Sequence, residues 1–209
     1  MDGVKYSRKA TCMRARTSVS SWWLLAVALL AIRAEAAPDP EVNIERHGDA
    51  YTISARLAVG VERATAWEVI TDYDRLQEFV PDIDESHVVS APGEPTRVRQ
   101  SGAWNLLGYR VPVQVVAQVD EQPMHSVRFR SVSGNVRVEN GEWSIADESG
   151  GVAITYRVQC TPDFWVPPVL GTMLIRRDVR YKLERVAQEM LRRNSAQHRP
   201  LFLLPAHAS

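Results

Sequence analysis

The sequence is poor in cysteine and has no excess charge of either sign. It contains two cysteines among 209 residues, Cys12 and Cys160, and Cys12 lies in the N-terminal segment. The rest of the chain therefore has one cysteine and cannot form an intrachain disulfide. Without residues 1–36 the chain has 19 basic and 23 acidic side chains, a net charge of −4. A chain without a basic surplus lacks the electrostatic footprint of nucleic-acid binding, so no nucleic-acid partner is expected.

The sequence also lacks a hydrophobic run long enough to cross a membrane. Its longest apolar run has 11 residues, Trp22–Ile32, whereas a spanning helix needs about 20. Basic residues precede this run and Ala34-Glu35-Ala36 follows it, a pattern typical of a secretory signal peptide over residues 1–36. We expect cleavage after Ala36 or Ala37 and export to the periplasm or the medium; an uncleaved membrane anchor is the alternative. Cys12 precedes the apolar run, which argues against lipoprotein attachment.

Motifs of catalytic and metal chemistry are missing. The histidines do not pair with one another or with Cys160 at metal-ligand spacing, so neither a metal nor a cofactor is expected. Ser86 and His87 are adjacent, but neighbouring residues of a strand face opposite sides and do not form a dyad. No G-x-S-x-G nucleophile elbow occurs. The histidines concerned are His47, His87, His125, His198 and His207.

What the sequence does contain is a succession of alternating segments that predicts an antiparallel sheet. Tyr51–Val59 alternates apolar and polar residues as the first strand, and two short helices, Glu62–Thr71 and Tyr73–Phe79, follow it. The polar segment Asp39–Arg46 is expected to be an irregular lead-in. Six further strands are separated by turn residues: His87–Ser90, Arg97–Leu106, Tyr109–Asp120, Ser126–Val132, Val136–Ala146 and Val152–Thr161.

A long amphipathic helix follows the strands. Pro167–Arg193 has apolar residues at helical spacing, and Pro167 and Pro168 suit a first helical turn. Short turns pair consecutive strands antiparallel, and this helix is the only predicted element large enough to cover their apolar face. The pattern therefore predicts an α+β fold with a small-molecule cleft between the sheet, the long helix and the short helices. The charged residues of the long helix are expected to form a solvated face: Arg176, Arg177, Asp178, Arg180, Lys182, Glu184, Arg185, Arg192 and Arg193.

One stretch of the sequence resembles a known family. WEVITDYDRL at 67–76 and FVP at 79–81 resemble the signature W-x-V-[IL]-T-D-Y-[DE]-x-[LM]-x-x-[FY]-[IVL]-P. That signature belongs to the polyketide cyclase/dehydrase branch of the START-like (SRPBCC) superfamily, which also holds coenzyme-Q-binding START-domain proteins. The aromatic-proline passage FWVPP at 164–168 agrees, and so do Glu142, Ile145 and Thr155-Tyr156.

The resemblance covers about residues 45–193 and implies a helix-grip fold, as in START-like and pollen-allergen-like proteins. In that fold a curved seven-stranded antiparallel sheet wraps around a long C-terminal helix, with two short helices after the first strand. Because the family contains cyclases, lipid carriers and partner-binding proteins, the resemblance is specific for fold and weak for activity.

Nine residues of the predicted strands, of the aromatic-proline passage and of the long helix are candidates for lining a ligand cavity. They are mainly aromatic and aliphatic and offer a ligand few hydrogen bonds. This favours an apolar ligand such as a lipid, an isoprenoid quinone or a polyketide-like molecule. Coenzyme Q is what the resemblance implies. Each of these side chains could instead belong to an ordinary core. The candidates are Trp104, Tyr109, Val113, Val115, Phe129, Trp143, Tyr156, Trp165 and Met173.

Two alternatives to a carrier stay open. A cyclase or dehydratase would need a titratable group facing the cavity, such as an inward arginine, histidine or glutamate on the strands, and the sequence identifies no catalytic residue. A protein-interaction module would have a filled core and no cavity.

Two acidic clusters have structural and functional interpretations. Asp72 and Asp74 are expected to cap and join the short helices, with acid–base chemistry as the alternative. The loop containing Asp82, Asp84 and Glu85 is expected to be a solvated acidic loop, because it lacks the spacing and the glycine of a calcium loop.

The sequence divides into a signal peptide, one domain over residues 37–195 and a tail. The tail, residues 196–209, is predicted to be flexible, with its Leu201–Leu204 segment as an alternative docking patch. Exchange of an apolar ligand would involve transient contact with a membrane. No feature of the sequence predicts the oligomeric state.

Overall fold

The structure, a computed structural model, describes residues 39–106, 108–167 and 170–198 and contains eight strands and three α-helices there. A short 3₁₀ turn, Tyr73–Arg75, precedes α2. The strands are β1 Glu41–His47, β2 Ala50–Val59, β3 Ile83–Val88, β4 Arg97–Leu106, β5 Tyr109–Gln122, β6 Ser126–Gly134, β7 Val136–Glu148 and β8 Gly151–Pro162. The α-helices are α1 Arg63–Ile70, α2 Leu76–Phe79 and α3 Gly171–Gln197.

All eight strands form one antiparallel sheet in the order β1-β2-β8-β7-β6-β5-β4-β3. Short turns join β3 through β8 in sequence, and α1 and α2 carry the chain from β2 to β3 at the far edge. Residues from distant parts of the sheet, such as Leu57 of β2 and Val98 of β4, share one apolar cluster with Leu183 of α3. The sheet therefore bends around α3, as a helix-grip fold requires.

The two halves of α3 have different neighbours. Its C-terminal half buries Val186, Ala187 and Met190 in the main core, against Ala66 and Val69 of α1. Its N-terminal half places Ile175 in a second apolar cluster with inward residues of β1, β2 and β8. The C-terminal half of the helix therefore packs in the main core, and the N-terminal half packs against the second cluster.

The predicted lead-in Asp39–Arg46 is a strand, so the sheet has eight strands rather than seven. β1 pairs antiparallel with β2 from Glu41 to His47. Its inward residues Val42 and Ile44 alternate with polar neighbours, and Ile44 is buried. Two apolar residues in a charged segment give a weak strand signal, and pairing with β2 is what stabilises the strand here.

The long helix begins later and ends later than the sequence predicts. Pro167 precedes it, Pro168 lies outside the described residues, and the first helical residue is Gly171. The N–H of Gly171 donates to the carbonyl of Pro167 at 2.8 Å. A Cβ at position 171 would stand 2.6 Å from Val166 Cγ1, so the chain can turn into the helix this closely only with glycine.

The end of α3 also changes the predicted tail. The helix continues to Gln197, so residues 196 and 197 of that tail are helical. The remainder beyond His198 lies outside the described residues, as does the predicted signal peptide, so their assignments stay predictions.

Arg193 joins the end of α3 to α1 and its following turn. Its guanidinium bonds Glu189 at 2.7 Å, Asp72 at 2.6 Å and Glu68 at 3.2 Å. The side chain of Arg193 is only 7% exposed, so the prediction that it lies on a solvated face is wrong. The predicted capping role of Asp72 is wrong as well, since its carboxylate holds Arg193 and makes no cap hydrogen bond.

Asp74 does not cap a helix either. Its carboxylate accepts the backbone N–H of Val88 at 2.8 Å and so ties the segment between α1 and α2 to β3. Asp72 thus links the segment between α1 and α2 to α3, and Asp74 links it to β3.

Acid is expected to weaken this arrangement through Glu189. Hydrogen bonds from Arg192 and Arg193 lower the pKa of the Glu189 carboxyl from 4.5 to about 2, against the opposing effect of burial. A carboxyl whose pKa is depressed by folding stabilises the protein above its unfolded pKa and loses that contribution as pH falls. Urea unfolding of the native chain should therefore show stability falling between pH 4.5 and about pH 2, and Glu189→Gln should remove that part of the slope. An unchanged slope in the variant would contradict this assignment.

Candidate functional site

A cavity of about 390 Å³ lies between the sheet, the N-terminal half of α3 and the short helices. This is within the range of small-molecule sites, about 300–1,000 Å³. Val69 and Ile70 of α1, Leu76 and Phe79 of α2, and Val179 of α3 close its sides. The cleft predicted between these elements is therefore present.

Six of the nine candidate residues line this cavity, and their strands explain why. β4 to β8 each turn alternate side chains inward, and the inward set of each strand contributes to one continuous wall. The rings of Trp143 and Tyr156 have centroids 4.5 Å apart, and Phe129 stacks with Tyr156 at a centroid distance of 6.4 Å. The six are Trp104, Val113, Val115, Phe129, Trp143 and Tyr156.

The other three candidates do not line the cavity and need correction. Tyr109, Trp165 and Met173 are 78%, 72% and 58% exposed. Tyr109 is the exposed first residue of β5, and Met173 faces away from the buried neighbours Gly171 and Ile175 on the same helix. Of the aromatic pair before the helix, Phe164 is the inward residue, packed edge-on against Trp104 with centroids 5.9 Å apart.

The cavity wall also contains an ion pair that the sequence interpretation placed in solvent. Asp178 and Lys182, one turn apart on α3, line the cavity, and Lys182 Nζ donates to Asp178 Oδ2 at 2.8 Å. Burial raises the pKa of the Asp178 carboxyl, Lys182 opposes that effect, and Asp82 adds to it. The sequence did hold a signal, since positions 178 and 182 continue the buried spacing from Ile175 and Val179.

Asp82 is the third charged residue of the wall. It adopts a positive φ of 63° in the loop before β3, and Asn105 donates to its Oδ1 at 3.0 Å. The loop is therefore not wholly solvated, although Asp84 faces Arg110 at 3.6 Å on the outside. In the described residues no three metal-ligating side chains lie together.

Three inward groups of the wall are neutral at ordinary pH. Burial raises the pKa of the Cys160 thiol to about 11, so the thiol stays protonated and is a poor nucleophile. Burial likewise raises the pKa of the Tyr156 hydroxyl, with Cys160 and Asp178 adding to the effect. The hydroxyl of Tyr51 is buried and has no hydrogen-bond partner in the described part of the chain. None of the four described histidines reaches the wall; all are exposed.

A second hollow, about 600 Å³, lies on the outer face of the sheet and differs in character. Most of its lining residues are outward polar side chains of β2 and β5 to β8, including Arg128, which bonds Glu142 at 3.1 Å, and Arg157. Such a surface stays hydrated, so an apolar ligand gains more by entering the inner cavity.

Phe129, Val119 and Val158 line both hollows, and Phe129 lies where the sheet has a gap. β6 pairs with β7 only as far as Phe129 and Gly141. Beyond this point β6 remains paired with β5, and β7 remains paired with β8. The register of β7 with β8 shifts between Val138 and Asn140, next to this gap. Val138 N–H donates to Ser131 Oγ at 2.8 Å and so links the separated strands by a side chain.

An antiparallel sheet bent around a C-terminal helix, with an apolar cavity between them, defines the helix-grip class of domains. The chain belongs to the family described as "Polyketide cyclase / dehydrase and lipid transport", whose model matches residues 59–187. A search of curated proteins found no match.

Solved structures share the fold at low sequence identity. A STAR-related lipid transfer protein from Xanthomonas axonopodis is 13% identical with a TM-score of 0.57, over 73% of this chain and 94% of that one. An aromatase/cyclase from a Streptomyces species is 12% identical with a TM-score of 0.56, over 72% and 96%. A START superfamily protein from Mycobacterium smegmatis is 15% identical with a TM-score of 0.50, over 70% and 98%.

The family match supports a ligand-binding or polyketide cyclase-like protein, and the solved structures support the fold. Among the described helices, none has the length and apolarity needed to traverse a bilayer.

Proposed function

We propose that this protein is an exported carrier that sequesters an apolar small molecule in the inner cavity. The observation that carries the proposal is the wall itself, built from aromatic and aliphatic side chains of seven strands, β2 to β8, and roofed by α3. Removal of apolar surface from water contributes about 25 cal/mol per Å², so a ligand that fills such a cavity is held mainly by exclusion from water. Lipids, isoprenoid quinones and polyketide-like molecules all meet this requirement.

Ligand exchange calls for an opening, and the proposed opening lies at α2 and the start of α3. Phe79 of α2 and Phe164 before α3 both border the cavity. Because an apolar ligand dissolves poorly in water, loading and release would involve transient contact with a membrane. Export through the N-terminal segment is part of the proposal, and N-terminal sequencing of the protein from its host tests it: a chain that begins at Met1 would contradict cleavage.

The carrier function is tested by analysing the protein purified from its own host. Native mass spectrometry should show a mass above that of the chain alone, and organic extraction should release one apolar molecule per chain. The same protein after extraction is the control and should return to the mass of the chain. A protein that is empty as isolated and binds no apolar compound afterwards would overturn the proposal.

One observation favours an enzyme as the second candidate. A cyclase or dehydratase needs a titratable group at the cavity, and Asp178 provides one, with a pKa raised by burial. A carboxylate of this kind could accept a proton from a carbon between two ketones. Incubation with the extracted ligand separates the two functions, since a carrier returns the ligand unchanged. The interaction module is less favoured, because the fold holds a cavity where that function predicts a filled core.

A further inference from the structure

The charged groups of the cavity wall form one compact set in a largely apolar space. Of the described residues that line the cavity, Asp82, Asp178 and Lys182 are the charged ones. Asp178 and Lys182 are bonded to each other, and Asp82 is close enough to Asp178 to raise its pKa. The set is therefore an ion pair with a second carboxylate beside it, and its formal charge is −1.

This arrangement disfavours a carboxylate as the polar group of an otherwise apolar ligand. A ligand carboxylate would bring another negative charge into a space that already contains two aspartates. Burial of such a charge without a free cation is costly, and the cation in the cavity is already bonded to Asp178. Fatty acids and other apolar acids are thus poorly matched to this wall.

A hydroxyl group matches the same wall. Lys182 Nζ has three N–H donors, and one of them is used on Asp178. Asp178 Oδ1 accepts no hydrogen bond from the described residues, so it is free to accept one. A hydroxyl oxygen can accept from Lys182 while its hydrogen is donated to Asp178, and neither partner has to give up the ion pair. A ketone can use only the lysine.

We infer that the cavity selects neutral apolar molecules that carry a hydroxyl group, bound between Asp178 and Lys182, and rejects the corresponding carboxylates. This inference rests on the proposed carrier function and specifies its ligand class. It also gives the pair on α3 a role that an ordinary i, i+4 ion pair of a solvated helix face does not have.

The test compares two ligands with the same chain. Isothermal titration of the extracted protein with decan-1-ol and with decanoate at pH 7.5 should give at least tenfold tighter binding of the alcohol. In Asp178→Asn, the ratio of the two dissociation constants should fall severalfold, because the variant removes a negative charge from the cavity. Glu184→Gln is the matched control, since it removes the same charge from α3 outside the cavity wall and should keep the wild-type ratio.

The outcomes separate this inference from the carrier function. Equal binding of both ligands, or tighter binding of decanoate, would overturn the selectivity and leave the carrier function standing. If neither ligand binds to the extracted protein, both proposals fail. Circular dichroism and thermal melts establish that the variants are folded, and Lys182→Met supplies a second variant, in which binding of decan-1-ol should weaken several-fold.

Discussion

Replacement of Val115 by tryptophan is expected to abolish ligand binding and to leave the protein folded. Val115 lies on β5 with its side chain on the cavity wall, so an indole at this position extends into empty space. The ligand then loses the volume it needs, and its dissociation constant should rise about 100-fold or more, equivalent to about 2.7 kcal/mol. Overpacking of a filled core would cost about 1–3 kcal/mol, and an open cavity should cost less. Titration with decan-1-ol and a thermal melt measure the two quantities.

Val132→Trp is the matched control for this experiment. Val132 lies on the neighbouring strand β6 but is exposed on the outer face of the sheet. The same substitution there should leave the affinity within about twofold of the wild type, since it does not touch the cavity. If Val115→Trp binds decan-1-ol as tightly as the wild type, the ligand lies elsewhere.

Arg193→Met is expected to cause the largest loss of stability from a single charged residue. Removal of one partner from a buried ion pair costs about 3–5 kcal/mol, because the remaining charges stay buried without compensation. Here Asp72 would lose the cation that it shares with Glu189 at the point where α3 meets α1, and Glu189 would keep only Arg192. Urea unfolding with linear extrapolation measures the change in the free energy of unfolding.

Arg192→Met is the adjacent control and separates burial from charge. Arg192 bonds the same carboxylate, Glu189, at 2.6 Å, but its side chain is 63% exposed. An exposed ion pair contributes about 0–1 kcal/mol, so this variant should lose far less stability than Arg193→Met. Similar small losses in both variants would show that the buried cluster does not hold α3 to α1.

Much of this fold could be predicted from the sequence, because alternation and turn residues determine which strands exist and which faces turn inward. The inward set of β5, including Val113 and Val115, is the clearest case, and the strand pairing agrees with it. β1 was missed because a strand with two inward apolar residues differs little from a polar loop. Its partner β2, and not its own composition, stabilises it.

Charged residues on α3 were the main source of error in the candidate site. A sequence interpretation that assigns charge to solvent places Asp178, Lys182 and Arg193 outside, but helical spacing turns all three inward. Arg193 is buried, and Asp178 and Lys182 are half-buried on the cavity wall. What keeps them there is a partner from another element or from the next turn, and that partner is visible only in three dimensions. Position on the helix was therefore a better guide than residue type.

Gly141 does not line the cavity, but it determines where the ring of Phe129, which does line it, can lie. The ring of Phe129 lies across this glycine, and a Cβ at position 141 would stand 2.2 Å from the ring. Any larger residue there would force the ring to move, toward the cavity on one side or the outer hollow on the other. During evolution, one methyl group at this strand position would thus change the size of ligand that the protein accepts, with every residue of the wall unchanged.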